Sequence, residues 1–244
     1  MKINWQAKYP QEFKLPYSWH QLPQGEAYCN AITDYFAPWL AKISGYQLVK
    51  IGGLSAEISC DLPLRHQIIL CPELSPALIE LNGQDAVSVL QARLDNLPFI
   101  ENSVNACLLA NGLNFYHDPH QLLREITRVL DEEGYLFISL FNPCSPLLFK
   151  RRLGLPEQRK FEFRHYIIYR LIDWLELLGF EILAYRHLSV AKKNAEKAPL
   201  FSPLSVLVAQ KRSLPLTLNP AKNIFRQHKG FEPMGAFKQI NNDL

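Results

Sequence analysis

The stretch Leu48 to Ile58, LVKIGGLSAEI, sets a lysine and two adjacent glycines at the end of a short apolar run. A strand that ends in bare backbone lets a ligand approach closely, because glycine has no Cβ to hold it off. Lys50, Gly52 and Gly53 are therefore the first candidates for a ligand-cradling turn. The plain alternative is a tight strand-to-helix turn kept for folding, since Leu54 and Ala56 follow where further glycines would open the loop. A second stretch, ANGLNFYHDPH, gathers Asn111, Asn114, Tyr116 and His117. His117 could act as a general base near neutral pH, with Tyr116 the other catalytic candidate. An exposed loop histidine beside an N-capping aspartate is the competing reading. Arg124, Glu125 and Arg128 fall on the outer face of the helix that follows, where solvated ion pairs are expected.

The elements that must position these residues alternate along the chain. Gly25 to Ile43 sets Tyr28, Ile32, Tyr35, Phe36 and Trp39 on one helical stripe. Tyr46 to Ile51, His66 to Cys71 and SVNACLLA are short apolar runs with the length and β-branching of strands. Asp118-Pro119 reads as a helix start, with Asp as N-cap and Pro in the first turn. Gly134 is expected to stop that helix before the strand YLFISLF. A further helix with Leu171, Trp174, Leu175 and Leu178 ends at Gly179, and FEILAYR and SVLVAQK supply the last strands. Alternating strands and helices imply an α/β fold with a doubly wound, mostly parallel sheet. Ligands of such sheets bind beyond the carboxyl ends of the strands, which is where Gly52 and Gly53 stand.

Composition bounds the remaining choices. A chain of 244 residues with 48% hydrophobic and 20% charged side chains can bury one sizeable core. No apolar run approaches the roughly 20 residues that cross a bilayer, and MKINWQAKYP lacks a signal-peptide core, so a cytoplasmic location is expected. Five widely spaced cysteines with no CxxC pair read as reduced thiols, with neither disulfides nor metal ligands expected. The net charge of +3 is carried by the C-terminal end: Lys211 to Leu244 holds six Lys/Arg against two Asp/Glu. Residues 1–212 read as one domain and 213–244 as a basic, flexible tail through which nucleic-acid contact is conceivable but not favoured. A second basic stretch, FKRRLGLPEQRKFEFRH, would suit an acidic partner or simply face solvent.

The block DNLPFIENSVNACLLANGLNFYHDPHQLLREITRVLDEEGYLFISLFNP closely resembles the class I S-adenosylmethionine-dependent methyltransferases in their type-11 branch. Within that branch it is most similar to uncharacterised bacterial methyltransferase-like proteins. The resemblance covers roughly Gly45 to Leu140, and Asp173 to Lys211 suits the closing helix and strands. It implies a Rossmann-like fold, S-adenosyl-L-methionine as cofactor, and cofactor-facing positions at Lys50, Gly52, Gly53, Cys71, Arg93, Leu94 and Asn111. Asn142 and Pro143, which follow the fifth strand, read either as an ordinary turn or as shaping the acceptor-side loop.

Four positions where the family carries acids have lost them. They are Lys50 in the glycine turn, Cys71 where ribose hydroxyls are bound, Arg93 beside the adenine, and Asn105 in the fourth-strand motif. Glu73 and Asp95 stand two residues downstream of the second and third. A lysine about 5 Å from the cofactor's sulfonium would cost roughly 3 kcal/mol at an effective dielectric of about 20. Lys50 and Arg93 are thus expected to share one ligand-facing rim. Two functions follow: a methyltransferase with a degenerate cofactor motif, acting on a small-molecule or acidic macromolecular acceptor, or an inactive methyltransferase-like binding protein, conceivably holding an anionic ligand.

Overall fold

A computed structural model of the chain describes residues 14–43, 45–60, 66–82, 86–145, 164–189 and 201–212. The basic stretch from Lys150 to Phe163 and the tail from 213 onward lie outside the described residues.

Seven strands form one sheet: β1 (Gln47–Ile51), β2 (His66–Cys71), β3 (Val87–Gln91), β4 (Val104–Ala110), β5 (Leu130–Phe141), β6 (Phe180–Leu188) and β7 (Leu204–Lys211). Their order across the sheet is β3-β2-β1-β4-β5-β7-β6. The first five are parallel, with Val49 of β1 opposite Ile68 on one side and Cys107 on the other. β7 runs antiparallel between β5 and β6. The helices are α1 (Gly25–Leu40), α2 (Gly53–Ala56), α3 (Pro76–Leu81), α4 (Gly112–Phe115), α5 (Pro119–Val129) and α6 (Ile168–Leu177). No helix among the described residues is long and apolar enough to cross a membrane.

Both faces of the sheet are covered, so the central strands are mostly apolar, with Lys50 of β1 a buried exception. One core packs Leu122, Ile126 and Val129 of α5 and Leu171 and Leu175 of α6 against Val49, Ile51, Cys107 and Leu109. The other packs Ile32, Phe36 and Leu40 of α1 against Leu48, Ala106, Leu108 and Phe137. Alternation along β1 thus sends Val49 and Ile51 to the α5 side and Leu48 to the α1 side.

The helix expected to end at Gly134 ends at Val129 instead. Leu130 is already extended and pairs with Val104, after which the ladder shifts register. Glu133 takes a left-handed φ of 64° inside that irregularity. Gly134 follows it where a Cβ would meet the Leu130 side chain at 2.8 Å. The glycine serves a tight bend within the strand, not a helix stop. Asp118 caps α5 as its sequence suggests, accepting from Gln121 N at 3.1 Å.

Candidate functional site

The carboxyl ends of β1 to β4 meet at a cavity of ≈ 150 Å³. Each strand delivers its following residues to the wall: Gly53 after β1, Cys71 and Glu73 at the end of β2, Arg93, Leu94 and Asp95 after β3, and Phe115, Tyr116 and His117 after β4. The segment Lys14 to Tyr17 closes the remaining side.

Gly52 has φ 87°, a conformation that only glycine adopts without strain, and its N–H donates to Leu70 O at 2.8 Å. That bond holds the turn to β2. Gly53 is bare for a different reason: a Cβ there would lie 2.5 Å from the carbonyl oxygen of Tyr17. The close approach that this glycine permits is made by the chain's own N-terminal segment. Trp19, fully buried, anchors that segment by donating Nε1–H to Leu54 O at 2.8 Å and its backbone N–H to Glu57 Oε2 at 3.2 Å. The Tyr17 hydroxyl completes the closure by donating to Glu73.

Leu54 and Ala56, which occupy the family's later glycine positions, do not crowd the cavity. Leu54 packs downward with Trp19 and Ile58, and Ala56 against Ile69, Cys71 and Leu78.

Lys50 does not reach the ligand-facing rim. Strand alternation puts it on the α1 side with Leu48, where its Nζ donates to Ile58 O at 2.8 Å. It is 4% exposed, and burial pushes its ammonium down from the ordinary lysine range. The expected pair of cations on one rim is therefore absent, and with it the like-charge contact between Lys50 and a sulfonium. Arg93 does stand at the cavity, but Nε and Nη2 grip both oxygens of Asp95, at 3.0 and 2.6 Å. This pair holds the Asp95 carboxyl below the usual carboxylate range.

Cys71 presents a neutral thiol to the cavity, its pKa pushed up to about 12 by burial. Leu94 is buried and supplies an apolar wall. Asn105 lies at the opposite end of the sheet, where its Oδ1 accepts from Tyr46 N at 2.9 Å and Gln47 N at 3.2 Å. The missing acid there has no bearing on the cavity.

After β4, Asn111 is fully buried in a left-handed conformation, φ 53°. Its Oδ1 accepts from the Ser139 hydroxyl at 2.5 Å, and its Nδ2 has no hydrogen-bond partner among the described residues. Asn114 is structural: Nδ2 donates to Arg164 O at 2.7 Å and Oδ1 accepts from Phe141 N at 3.1 Å. Tyr116 and His117 both line the cavity, rings 4.6 Å apart, while the His117 carbonyl accepts from Arg164. Asn142 makes a turn, donating to Ser202 O and accepting from Cys144 N.

The charged group on α5 is not a set of solvated pairs. Glu125 accepts the Leu97 N–H at 3.1 Å. Arg128 donates to Leu97 O and Phe99 O, each at 3.0 Å, and to Glu125 at 2.8 Å. These two side chains pin the LPF turn that follows the Arg93–Asp95 wall, a role invisible in their helical spacing. Lys14 and Tyr17 were also beyond sequence reasoning, because nothing local marks the residues against which a lead-in segment will lie.

A family model described as a methyltransferase domain matches residues 49–138. The uncharacterized protein YafS of Escherichia coli K12 is 37% identical over 244 residues, spanning 96% of each chain. Among solved structures, a chain from the complex between the Haloferax volcanii Trm112 methyltransferase activator and a methyltransferase aligns with TM-score 0.58 and 15% identity, over 78% of this chain and 92% of that one. An S-adenosylmethionine-dependent methyltransferase of Thermotoga maritima aligns with TM-score 0.55 and 21% identity, over 77% of this chain and 88% of that one. At those identities the structural matches establish the fold.

Proposed function

We propose, for a chain that belongs to the type-11 branch of the class I S-adenosylmethionine-dependent methyltransferases, that it binds S-adenosyl-L-methionine in the cavity at the ends of β1 to β4. The observation that carries this reading is the placement of Glu73 and Asp95. Both carboxylates face the cavity, each two residues downstream of a position where the family keeps its acid. On this reading Glu73 and Asp95 take over the acidic functions of the two substituted positions, because both line the cleft.

The residues suit the cofactor in kind. Glu73 would accept ribose hydroxyls, Asp95 the adenine amino group, and Leu94 would pack against the base. The bound cofactor supplies an activated methyl for in-line displacement. What the protein must do is orient the acceptor and exclude water, with a base required only if the acceptor must lose a proton. His117, which lines the cavity beside Tyr116, would take such a proton at its ring nitrogen. The acceptor is proposed to be a small molecule or an acidic macromolecule, the latter met by the basic stretch around Lys150 to Arg164.

Isothermal calorimetry on the full chain tests this. S-adenosyl-L-methionine and its demethylated product are expected to bind, with Glu73→Gln and Asp95→Asn each weakening affinity by roughly 10- to 150-fold, the loss of one charge-assisted hydrogen bond. Absence of heat with both ligands at millimolar concentration would reject the reading.

One observation favours a second reading, a binding protein without the cofactor. Tyr17 backbone fills the space over Gly53, its hydroxyl engages Glu73, and the cavity of ≈ 150 Å³ is below the roughly 300 Å³ where ligand pockets begin. Cofactor entry therefore requires the Lys14 to Tyr17 segment to shift. The two cations expected to attract an anionic ligand do not supply that attraction, because Arg93 is paired with Asp95 and Lys50 turns to Ile58 O.

A further inference from the structure

The buried face of the glycine turn holds a cluster that methyl transfer does not use. Lys50 Nζ and the Cys60 thiol converge on one acceptor, the carbonyl oxygen of Ile58, at 2.8 and 3.5 Å. Because both groups bond the same oxygen, the amine and the sulfur lie beside each other. Cys29, on α1, donates to the neighbouring carbonyl of Glu57 at 3.5 Å. A buried ammonium ordinarily faces a carboxylate, yet the acidic groups acting on this one are the two thiols. Cys60 is partly exposed, whereas Lys50 is buried, so oxidation would begin at the sulfur.

We propose that Cys60 and Lys50 form an oxidative modification site, at which peroxide joins the Cys60 sulfur to the Lys50 nitrogen through a single bridging oxygen. In the first step the Cys60 sulfur attacks one peroxide oxygen. The O–O bond breaks, an S–O bond forms, and water leaves, giving a sulfenic acid. In the second step the neighbouring amine forms an N–O bond to that oxygen, and the hydrogens lost from nitrogen and from the sulfenic hydroxyl reduce a second peroxide to two waters. Sulfur and nitrogen each give up two electrons, and the four oxygens of the two peroxides, the bridging one among them, accept these four. The second step needs an amine that is not fully protonated, and burial favours its neutral form.

The bridge would tie β1 to the loop that follows α2, so it would clamp the turn carrying Gly52 and Gly53 from beneath. It does not depend on whether the cofactor binds, and its signature is covalent. The full-length protein, treated with hydrogen peroxide and digested, is expected to give one crosslinked peptide pair containing Lys50 and Cys60, with one oxygen gained and two hydrogens lost. Dithiothreitol should restore amine, thiol and water. The crosslink should persist in Cys29→Ser and vanish in Cys60→Ser and Lys50→Arg; the wild-type mass alone decides the matter should a variant fail to fold. A Cys29–Cys60 disulfide, oxygen added to Cys60 without attachment to lysine, or an unchanged mass would each overturn the proposal.

Discussion

The Tyr17 hydroxyl donates to the Glu73 carboxylate across 56 positions of sequence, joining the N-terminal segment to the loop after β2 over the mouth of the cavity. This contact raises the Tyr17 pKa, chiefly through the hydrogen bond itself. It also occupies the carboxylate assigned to the cofactor's ribose. Tyr17→Phe should free Glu73 and tighten S-adenosyl-L-methionine by roughly fivefold, about 1 kcal/mol, in calorimetric titration. Weaker binding would mean that the hydroxyl turns to the cofactor instead of competing with it.

Gly53→Ala tests the same closure from the other side. Its Cβ would come within 2.5 to 2.9 Å of Tyr17 backbone atoms, which a flexible side chain cannot relieve. The variant should lose about 1 to 3 kcal/mol of stability, or, if segment 14–17 simply lifts, should show faster proteolytic cleavage near Tyr17 with an unchanged thermal midpoint. Neither change would show that the segment does not lie against the turn.

Glu125 and Arg128 together satisfy one backbone N–H and two carbonyls of the LPF turn. Arg128→Ala should cost about 2 to 3 kcal/mol, lowering the thermal midpoint by roughly 4 to 12 °C. The hydrogen bond from Arg128 holds the Glu125 carboxyl below its ordinary range. A group depressed in the folded state contributes stability that is full above its unfolded value, near pH 4.3, and is lost as pH falls through the folded one. Glu125→Gln should therefore flatten the acid limb of the stability curve below about pH 4.3. A wild-type acid slope would assign that limb to other carboxyls.

Lys50→Met is expected to leave cofactor affinity within about twofold of wild type, because the amine ends on Ile58 O on the α1 side of the sheet. Exchanging a buried cation for an apolar chain of similar length should be close to neutral for stability near pH 7. Since burial lowers the Lys50 pKa, wild-type stability should climb with pH through the window between its folded value and about 10.4, a rise the variant lacks. Affinity raised about tenfold would place the lysine in the cleft after all.

Much of the fold could be read from local chemistry. The stripe of α1, the Asp118 cap, and the apolar runs of β1, β2, β4, β6 and β7 each carry their own periodicity or terminus signal, and burial of both sheet faces follows from it. β3 and α3 were missed, since VSVLQ and PALIEL are short and only partly buried. The glycine turn was likewise legible, as were the cavity positions of Cys71, Arg93 and Leu94 through their resemblance to a family and of His117 through its place after the fourth strand.

What the tertiary structure alone decided is where charge ends up. Glu73 and Asp95 return to the cleft, although the acidic positions themselves hold Cys71 and Arg93, because the paths of the loops and not residue spacing fix where a side chain points. Lys50 leaves the cleft because the two-residue alternation of β1 commits it to the face that α1 covers, and that commitment depends on which helix packs where. Tyr17 meets Gly53 and Glu73 only once a chain segment with no periodic signal of its own has been laid over the carboxyl ends of β1 and β2. Propensity and pattern act over a few residues, whereas hydrogen-bond satisfaction and ion pairing are settled by neighbours in space.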